Sequence, residues 1–239
     1  MKIVYLSNST IPSRTANSIQ VMKMCQAFAE NGHEVTLLSQ NRKQDYETNV
    51  KDVYQYYGVK PDFDIQRVTN INIRKVGTVI YSWLAARTAY QHKPELVYGR
   101  SITGCFFSAH LGIPVAFEAH TPIEGNPIRE WIFRQLIGNH NLKKIVVITH
   151  ALKEHYQRCY TDIQCPIQVL PDGANVIENQ QIKPIVLPNQ EKRFQVGYVG
   201  HLYKGKGMEV IVQLAKLSPW ADFHIVGGLE ADIQFWQKQ

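Results

Sequence analysis

Short apolar runs alternate with segments of helical periodicity along most of this chain, and this alternation constrains the fold more than any other feature. Ile3 to Ser7 is rich in strand-forming residues, and the apolar residues from Ile19 to Ala29 recur at helical spacing. Val35 to Leu38 follows as a second buried strand, which completes a βαβ unit. Strands that alternate with helices in this way predict an α/β fold with a parallel sheet covered on both faces.

The same alternation continues as far as residue 170. Further strands are predicted at 64–68, 96–98, 115–117, 145–148 and 168–170, and helices at 78–92, 101–110, 128–137 and 151–159. The polar stretch 41–60 predicts a helix or an irregular excursion. We therefore expect one Rossmann-like domain over residues 1–175.

The periodicity weakens after the Pro171-Asp172-Gly173 turn. Two prolines and a polar patch predict a linker over residues 176–192. A strand at 194–199, a helix at 208–217 and a strand at 223–226 then begin a second α/β unit, residues 193–239. Because one βαβ unit is less than a full domain, we expect this unit to be incomplete and the sequence to belong to a longer protein.

The composition is that of a globular protein with a preference for anionic partners. The formal net charge is +6, and no nucleic-acid-binding signature or long basic run is present, so nucleic acid is not an expected partner. No segment resembles a signal peptide or a membrane span, and a cytoplasmic protein is expected. The cysteines have no CxxC spacing, so no metal site or disulfide framework is predicted.

The most specific candidate site is the loop from Gly200 to Gly207, between a predicted strand and a predicted helix. Its glycines allow a ligand to approach the backbone, the helix supplies N–H groups, and Lys204 or Lys206 supplies a cation. These features suit a phosphate. The alternative is a glycine turn with solvated lysines, and neither the GxGxxG nor the Walker A spacing is matched.

Two further candidates follow strands of the first domain. Glu118 and His120 are two positions apart at the end of the strand 115–117, so their side chains project to one side. Arg14 lies in the loop 8–17 after the first strand, where it could reach an anionic group. The alternative for that loop is a polar helix cap that ends at Asn17 or Ser18.

These segments together resemble the glycosyltransferase family 4 enzymes of GT-B fold, in which two Rossmann-like domains face each other across a cleft. The resemblance is carried by VGYVGHLYKGKGM (196–208), FHIVGG (223–228), FEAHTP (117–122), IVVIT (145–149), LPDGAN (170–175) and residues 1–39. It implies an enzyme that transfers a sugar from a nucleotide-sugar to an acceptor, with retention at the anomeric carbon. It implies no cofactor and no obligatory metal.

The resemblance also implies roles for individual residues. The donor phosphates would be bound by Lys206, Gly205, Gly207 and His201, which stands where the family pattern has an arginine. His120 would polarise or orient a sugar hydroxyl, unless it is only a hydrogen-bonded loop residue. Glu118 would contact the acceptor or support the structure, and Arg14 would line the cleft.

The expected acceptor is a glycan or a lipid-linked glycan in polysaccharide assembly, on the cytoplasmic side of a membrane. A basic-aromatic face for peripheral membrane contact could be formed by Arg129, Trp131, Arg134, Lys143 and Lys144. The alternative is a core helix whose apolar residues, Ile128 among them, are buried. The glutamate pair that family members carry later in the second domain is absent from this sequence, which predicts weak or no donor binding. Two other functions stay open: a non-catalytic acceptor-binding subunit and a nucleotide-sugar epimerase.

Overall fold

The computed structural model describes residues 1–41, 47–70, 76–175 and 185–239 of the chain. These residues form two compact units, Met1–Ala174 and Asn175–Gln239. Part of the predicted excursion 41–60 (residues 42–46) and part of the predicted linker (residues 176–184) lie outside the described residues.

The first unit alternates strands and helices from its first residues to its last. The strands are β1 (Lys2–Thr10), β2 (Glu34–Asn41), β3 (Asp64–Thr69), β4 (Leu96–Gly99), β5 (Val115–Ala119), β6 (Leu142–Val147) and β7 (Ile167–Val169). The helices are α1 (Ala16–Glu30), α2 (Val53–Tyr57), α3 (Gly77–Gln91), α4 (Ile102–His110), α5 (Pro127–Ile137) and α6 (His150–Cys159).

The described strands of this unit form one parallel sheet in the order β3-β2-β1-β4-β5-β6-β7. The predicted Rossmann-like α/β class is therefore confirmed. The strand order reverses between β1 and β4, because β2 and β3 extend to one side of β1 and β4 to β7 to the other. In sheets of this kind, ligands bind outside the carboxyl ends of the strands at such a reversal.

Alternation along the strands divides the core between the two faces of the sheet. In β1, Val4 and Leu6 belong to one buried cluster, and Ile3 and Tyr5 belong to the other. Successive side chains of a strand point to opposite faces, so a strand covered on both sides has to be apolar at successive positions. This is why β1 has a continuous apolar run.

Short polar side chains cap the amino ends of α1 and α5. The side chain of Thr15 accepts a hydrogen bond from the backbone N–H of Ser18 and caps α1, so the prediction of a cap at Asn17 or Ser18 was two to three residues late. Ser18 lies inside the first turn of the helix, and its hydroxyl donates to the carbonyl of Ser13 at 2.8 Å. Asn126 caps α5, followed by Pro127 at the first helical position.

The buried face of α5 differs from the prediction in its first turn. Ile132, Leu136 and Ile137 are buried as predicted, whereas Ile128 is 70% exposed. Ile128 lies one turn before the buried face begins, and Phe133 is buried beside Ile132 instead.

The second unit contains β8 (Phe194–Val199), α7 (Met208–Leu217), β9 (Ala221–Val226) and α8 (Glu230–Trp236). Strands β8 and β9 pair in parallel over their full length, from Phe194 opposite Ala221 to Val199 opposite Val226. Parallel strands require a crossover connection, which α7 provides.

Candidate functional site

A polar network lies at the carboxyl ends of β4 and β5, beside the reversal of strand order in the first unit. Glu118 is the second-last residue of β5 and only 4% exposed, and His120 follows the strand directly. The ring Nε2 of His120 contacts the Glu118 carboxylate. The sequence prediction placed these two side chains on one side of the strand end, and the structure brings them into hydrogen-bond contact.

Gln20 joins α1 to this pair. Its side-chain amide donates to Glu118 Oε1 at 3.0 Å and to Asp172 Oδ1 at 3.0 Å, and it lies 3.3 Å from His120 Nε2. Helix α1 follows β1, and β1 is the neighbour of β4 in the sheet. Gln20 therefore reaches the network from the connection between β1 and β2. One amide therefore links residues that are about a hundred positions apart in the chain.

Arg100 supplies the positive charge of the network. It directly follows β4, its guanidinium donates to the side-chain oxygen of Gln20, and its Nε lies 3.9 Å from Glu118 Oε1. The side chains of Arg100 and Glu118 are 20% and 3% exposed. A buried carboxylate requires such partners, because the transfer of an unpaired charge from water to the protein interior is strongly unfavourable in free energy.

Glu118 is held in its ionised form. Burial opposes the charge, but hydrogen bonds from His120 and Tyr98 and the positive charge of Arg100 outweigh it, so the pKa of Glu118 lies below its ordinary value. The same charge acts on Tyr98: burial, together with the nearby Glu118, raises the pKa of the Tyr98 hydroxyl well above its usual range. Glu118 is therefore an acceptor and Tyr98 a neutral donor near neutral pH.

A polar cavity of ≈ 420 Å³ lies along the loop that follows β1. Its lining includes Asn8, Ser13, Asn17 and Gln40, together with Arg14. Arg14 was predicted to reach an anionic group. In the structure its Nε is 2.8 Å from Glu47 Oε1, so this guanidinium already has a carboxylate partner.

The loop 200–207 of the second unit, where the sequence predicts a phosphate site, turns at glycines with positive φ angles. Gly205 and Gly207 have φ angles of +93° and +82°, which L side chains adopt rarely, and Gly207 caps the amino end of α7. The Lys206 ammonium lies 5.3 Å from the centre of the Tyr203 ring, and the His201 ring lies 5.5 Å from the same ring. Both candidate phosphate-binding side chains thus flank one aromatic residue at a helix amino end.

Close backbone packing supports this loop. A β-carbon on Gly227 would lie 2.2 Å from the Gly200 carbonyl oxygen, and Gly227 has a φ of +119°. Trp236 donates its indole N–H to the Leu202 carbonyl at 2.7 Å. The FHIVGG segment is therefore glycine-rich because the loop after β8 passes directly over it.

Sequence reasoning identified Glu118 and His120 but not Gln20 or Arg100. Arg100 had a usable signal, because it is the first charged residue after the predicted strand at 96–98 and follows its carboxyl end by two positions. Gln20 had no such signal in the sequence, since a polar residue on an amphipathic helix is ordinarily solvated.

The comparison with known protein families decides where the chain belongs. The model for Glycosyltransferase Family 4 matches residues 18–177. The chain belongs to glycosyltransferase family 4. The matched segment contains Gln20, Arg100, Glu118, His120 and Asp172, so the whole polar network lies within the family's own region. A search of curated protein sequences found no match.

Solved structures give the same fold at low sequence identity. Anabaena HepE, crystallised in complex with UDP, has a TM-score of 0.66 and 14% identity, with 100% of this chain and 64% of that chain covered. Sucrose-phosphate synthase from Thermosynechococcus elongatus has a TM-score of 0.62 and 12% identity, with 99% of this chain and 72% of that chain covered. This family 4 chain therefore spans just under two thirds of the length of HepE.

An epimerase also has this fold. A UDP-N-acetylglucosamine 2-epimerase described as putative, from Listeria monocytogenes, has a TM-score of 0.57 and 14% identity, with 98% of this chain and 70% of that chain covered. At such identities the likeness concerns the fold alone. Among the residues that the structure describes, no helix combines the length and apolar character that a membrane span requires.

Proposed function

We propose that this family 4 chain transfers a sugar from a nucleotide-sugar to a glycan or lipid-linked acceptor, with retention of anomeric configuration, in polysaccharide assembly. The observation that carries the proposal is the network of Glu118, His120, Gln20 and Arg100 at the strand-order reversal of a glycosyltransferase family member. Its position is where this class of sheet binds ligands.

In the first unit, which we assign to the acceptor side, His120 is the residue that orients a sugar hydroxyl. An ionised Glu118 accepts hydrogen bonds but cannot donate them, so the His120 nitrogen beside it, Nε2, carries the proton. Nδ1 is then the ring nitrogen that accepts a hydrogen bond from the sugar. Gln20 and Arg100 hold Glu118 and thereby the ring.

In the second unit, which we assign to the nucleotide-sugar, the loop 200–207 binds the donor phosphates. Negative charge grows on the diphosphate as its bond to the sugar breaks, and a cation placed there stabilises the transition state more than the bound donor. Lys206 provides that charge, Gly205 and Gly207 let the phosphate approach the backbone, and His201 adds a hydrogen bond. The reaction needs no cofactor in this proposal.

The acceptor side carries a surface suited to a membrane-bound acceptor. Trp131 and Ile128 are 57% and 70% exposed, and Arg129 and Arg134 lie on the same helix. Exposed aromatic and basic side chains on one helix are typical of contact with an anionic lipid surface. This surface supports the proposal of a lipid-linked acceptor, and with the cytoplasmic location expected from the sequence we propose that the reaction takes place at the inner face of the membrane.

The purified chain tests this function directly. It is incubated with UDP- and GDP-sugars and a lipid-linked glycan extract, and the glycoside formed is followed by NMR, which reports its anomeric configuration. Because the family's glutamate pair is absent from this sequence, we expect slow formation of a product with the donor's configuration, and a roughly 100-fold lower rate again for His120→Ala. His140→Ala, which removes an exposed histidine from outside the network, should retain the wild-type rate.

The other two functions give different results in the same assay. An epimerised sugar nucleotide without acceptor product would identify an epimerase, for which the Listeria fold match is the supporting observation. Saturable binding of the glycan with no turnover of any donor would identify a non-catalytic acceptor-binding subunit.

A further inference from the structure

Three potential metal ligands from different parts of the first unit meet away from the polar network. Glu124 lies in the loop between β5 and α5, and His155 and Cys159 lie on α6. One ligand atom of each side chain lies within 4.8 Å of the other two. Residues four positions apart share one face of a helix, which is why His155 and Cys159 point toward the same loop.

The spacing of these atoms suits a small cation. His155 Nε2 is 2.8 Å from Glu124 Oε1. Tetrahedral zinc holds nitrogen, oxygen and sulfur ligands at about 2.0 to 2.3 Å, which places neighbouring ligand atoms about 3.2 to 3.8 Å apart. A bound cation would therefore widen the Glu124–His155 contact by a few tenths of an ångström, and the Cys159 sulfur, which lies within 4.8 Å of both atoms, would supply the third ligand.

The donor set selects the metal. One imidazole, one thiolate and one carboxylate match the ligands that Zn²⁺ takes, whereas Mg²⁺ and Ca²⁺ prefer oxygen alone. We propose that Glu124, His155 and Cys159 bind a Zn²⁺-class cation, with water as the fourth ligand. On binding, the Cys159 thiol releases its proton to solvent and its sulfur bonds to the metal, while the metal's oxidation state is unchanged.

The cation would have a structural role in the loop that follows His120. Tyr156, between the two helical ligands, already donates its hydroxyl to the Thr121 carbonyl at 3.1 Å. A metal bridge from Glu124 to α6 adds a second tie to the same loop, three residues further along the chain. The ordering of this loop is independent of which reaction the chain performs.

Metal titration of the full 239-residue chain tests this site. The protein is stripped with a chelator and titrated with Zn²⁺ against a chromophoric competitor. We expect one equivalent to bind, and Glu124→Gln, His155→Ala and Cys159→Ser each to weaken binding by about tenfold or more. Cys165→Ser and His140→Ala, which remove a thiol and an imidazole from outside the cluster, should bind as the wild type does.

Two readouts separate a built site from surface binding. Co²⁺ should give the wild type a thiolate charge-transfer band that Cys159→Ser lacks, and Zn²⁺ should raise the Tm of the wild type but not of Cys159→Ser. Equal affinity in wild type and all three ligand variants, or a cobalt spectrum unchanged by Cys159→Ser, would overturn the proposal. If His155→Ala or Cys159→Ser impairs the folding of α6, Glu124→Gln still tests the site, because Glu124 is exposed and its substitution leaves the fold intact.

Discussion

The side-chain amide of Gln20 donates a hydrogen bond to the carboxylate of Glu118 at 3.0 Å, across 98 positions of the chain. The bond joins α1, the helix that follows β1, to the end of β5. In the sheet, β4 lies between β1 and β5. It makes the position of His120 depend on the helix that follows β1. Helix α1 and the end of β5 therefore contribute to one polar network.

Gln20→Glu tests this connection with almost no change of shape. The substitution replaces the donor that serves Glu118 and Asp172 with a carboxylate oxygen, so like charges face one another. We expect the free energy of unfolding to fall by about 1 to 3 kcal/mol at neutral pH, measured by urea denaturation. Gln135→Glu, an exposed position on α5, makes the same change of charge and should have little effect. Equal losses in the two variants would contradict the connection.

Glu118→Gln should lower stability in a pH-dependent way. The folded-state pKa of Glu118 lies below its ordinary value because His120, Tyr98 and Arg100 favour the charged form despite burial. The charge therefore stabilises the fold fully above the unfolded pKa of about 4.3, and this contribution is lost as the pH falls through the folded pKa.

The measurement is the difference in unfolding free energy between wild type and Glu118→Gln across that range. We expect a gap near pH 7 that narrows steadily below about pH 4. A gap that stays constant with pH would mean that the Glu118 charge does not stabilise the fold.

Gly227→Ala should loosen the loop 200–207. The new β-carbon would overlap the Gly200 carbonyl at 2.2 Å, and the φ of +119° is unfavourable for alanine. We expect hydrogen exchange in residues 194–207 to accelerate by about tenfold or more, since a strained residue costs about 1 to 3 kcal/mol. Gly197→Ala, where nothing lies within 4 Å of the new carbon, should leave exchange unchanged. Similar exchange in both variants would argue against close packing at Gly227.

The parts of the molecule that repeat a local pattern could be predicted, and those that depend on distant partners could not. Strand β1 and helix α5 follow from apolar periodicity, because burial on one or both faces leaves a regular trace in the sequence. The pairing of Glu118 with His120 follows from strand alternation. Gln20 could not be assigned to the site because its partners are contributed by β4, β5 and the Asp172 turn, and pairing across the sheet leaves no local signal.

The same distinction explains Ile128 and the metal-binding cluster. The spacing of Ile128 matches the apolar face of α5, but the residue is exposed. Whether the first turn of a helix is buried depends on the elements that pack beside it, and the sequence of the helix does not show these. The prediction of no metal site considered cysteine spacing and nearby pairs of histidines, whereas His155 and Cys159 share a helix face and Glu124 joins them only through the fold.

Nucleotide binding by the loop 200–207 is the most direct test of the whole account. The ¹⁵N-labelled chain is titrated with UDP and with GDP, and backbone amide shifts are followed by NMR in the wild type, Lys206→Ala and Lys216→Ala. We expect the largest shifts within residues 200–207, an affinity about tenfold or more weaker for Lys206→Ala, and no change for Lys216→Ala, which removes an exposed lysine at the far end of α7. Saturable shifts confined to other residues, or equal affinities in all three proteins, would contradict a nucleotide-sugar transferase that uses this loop.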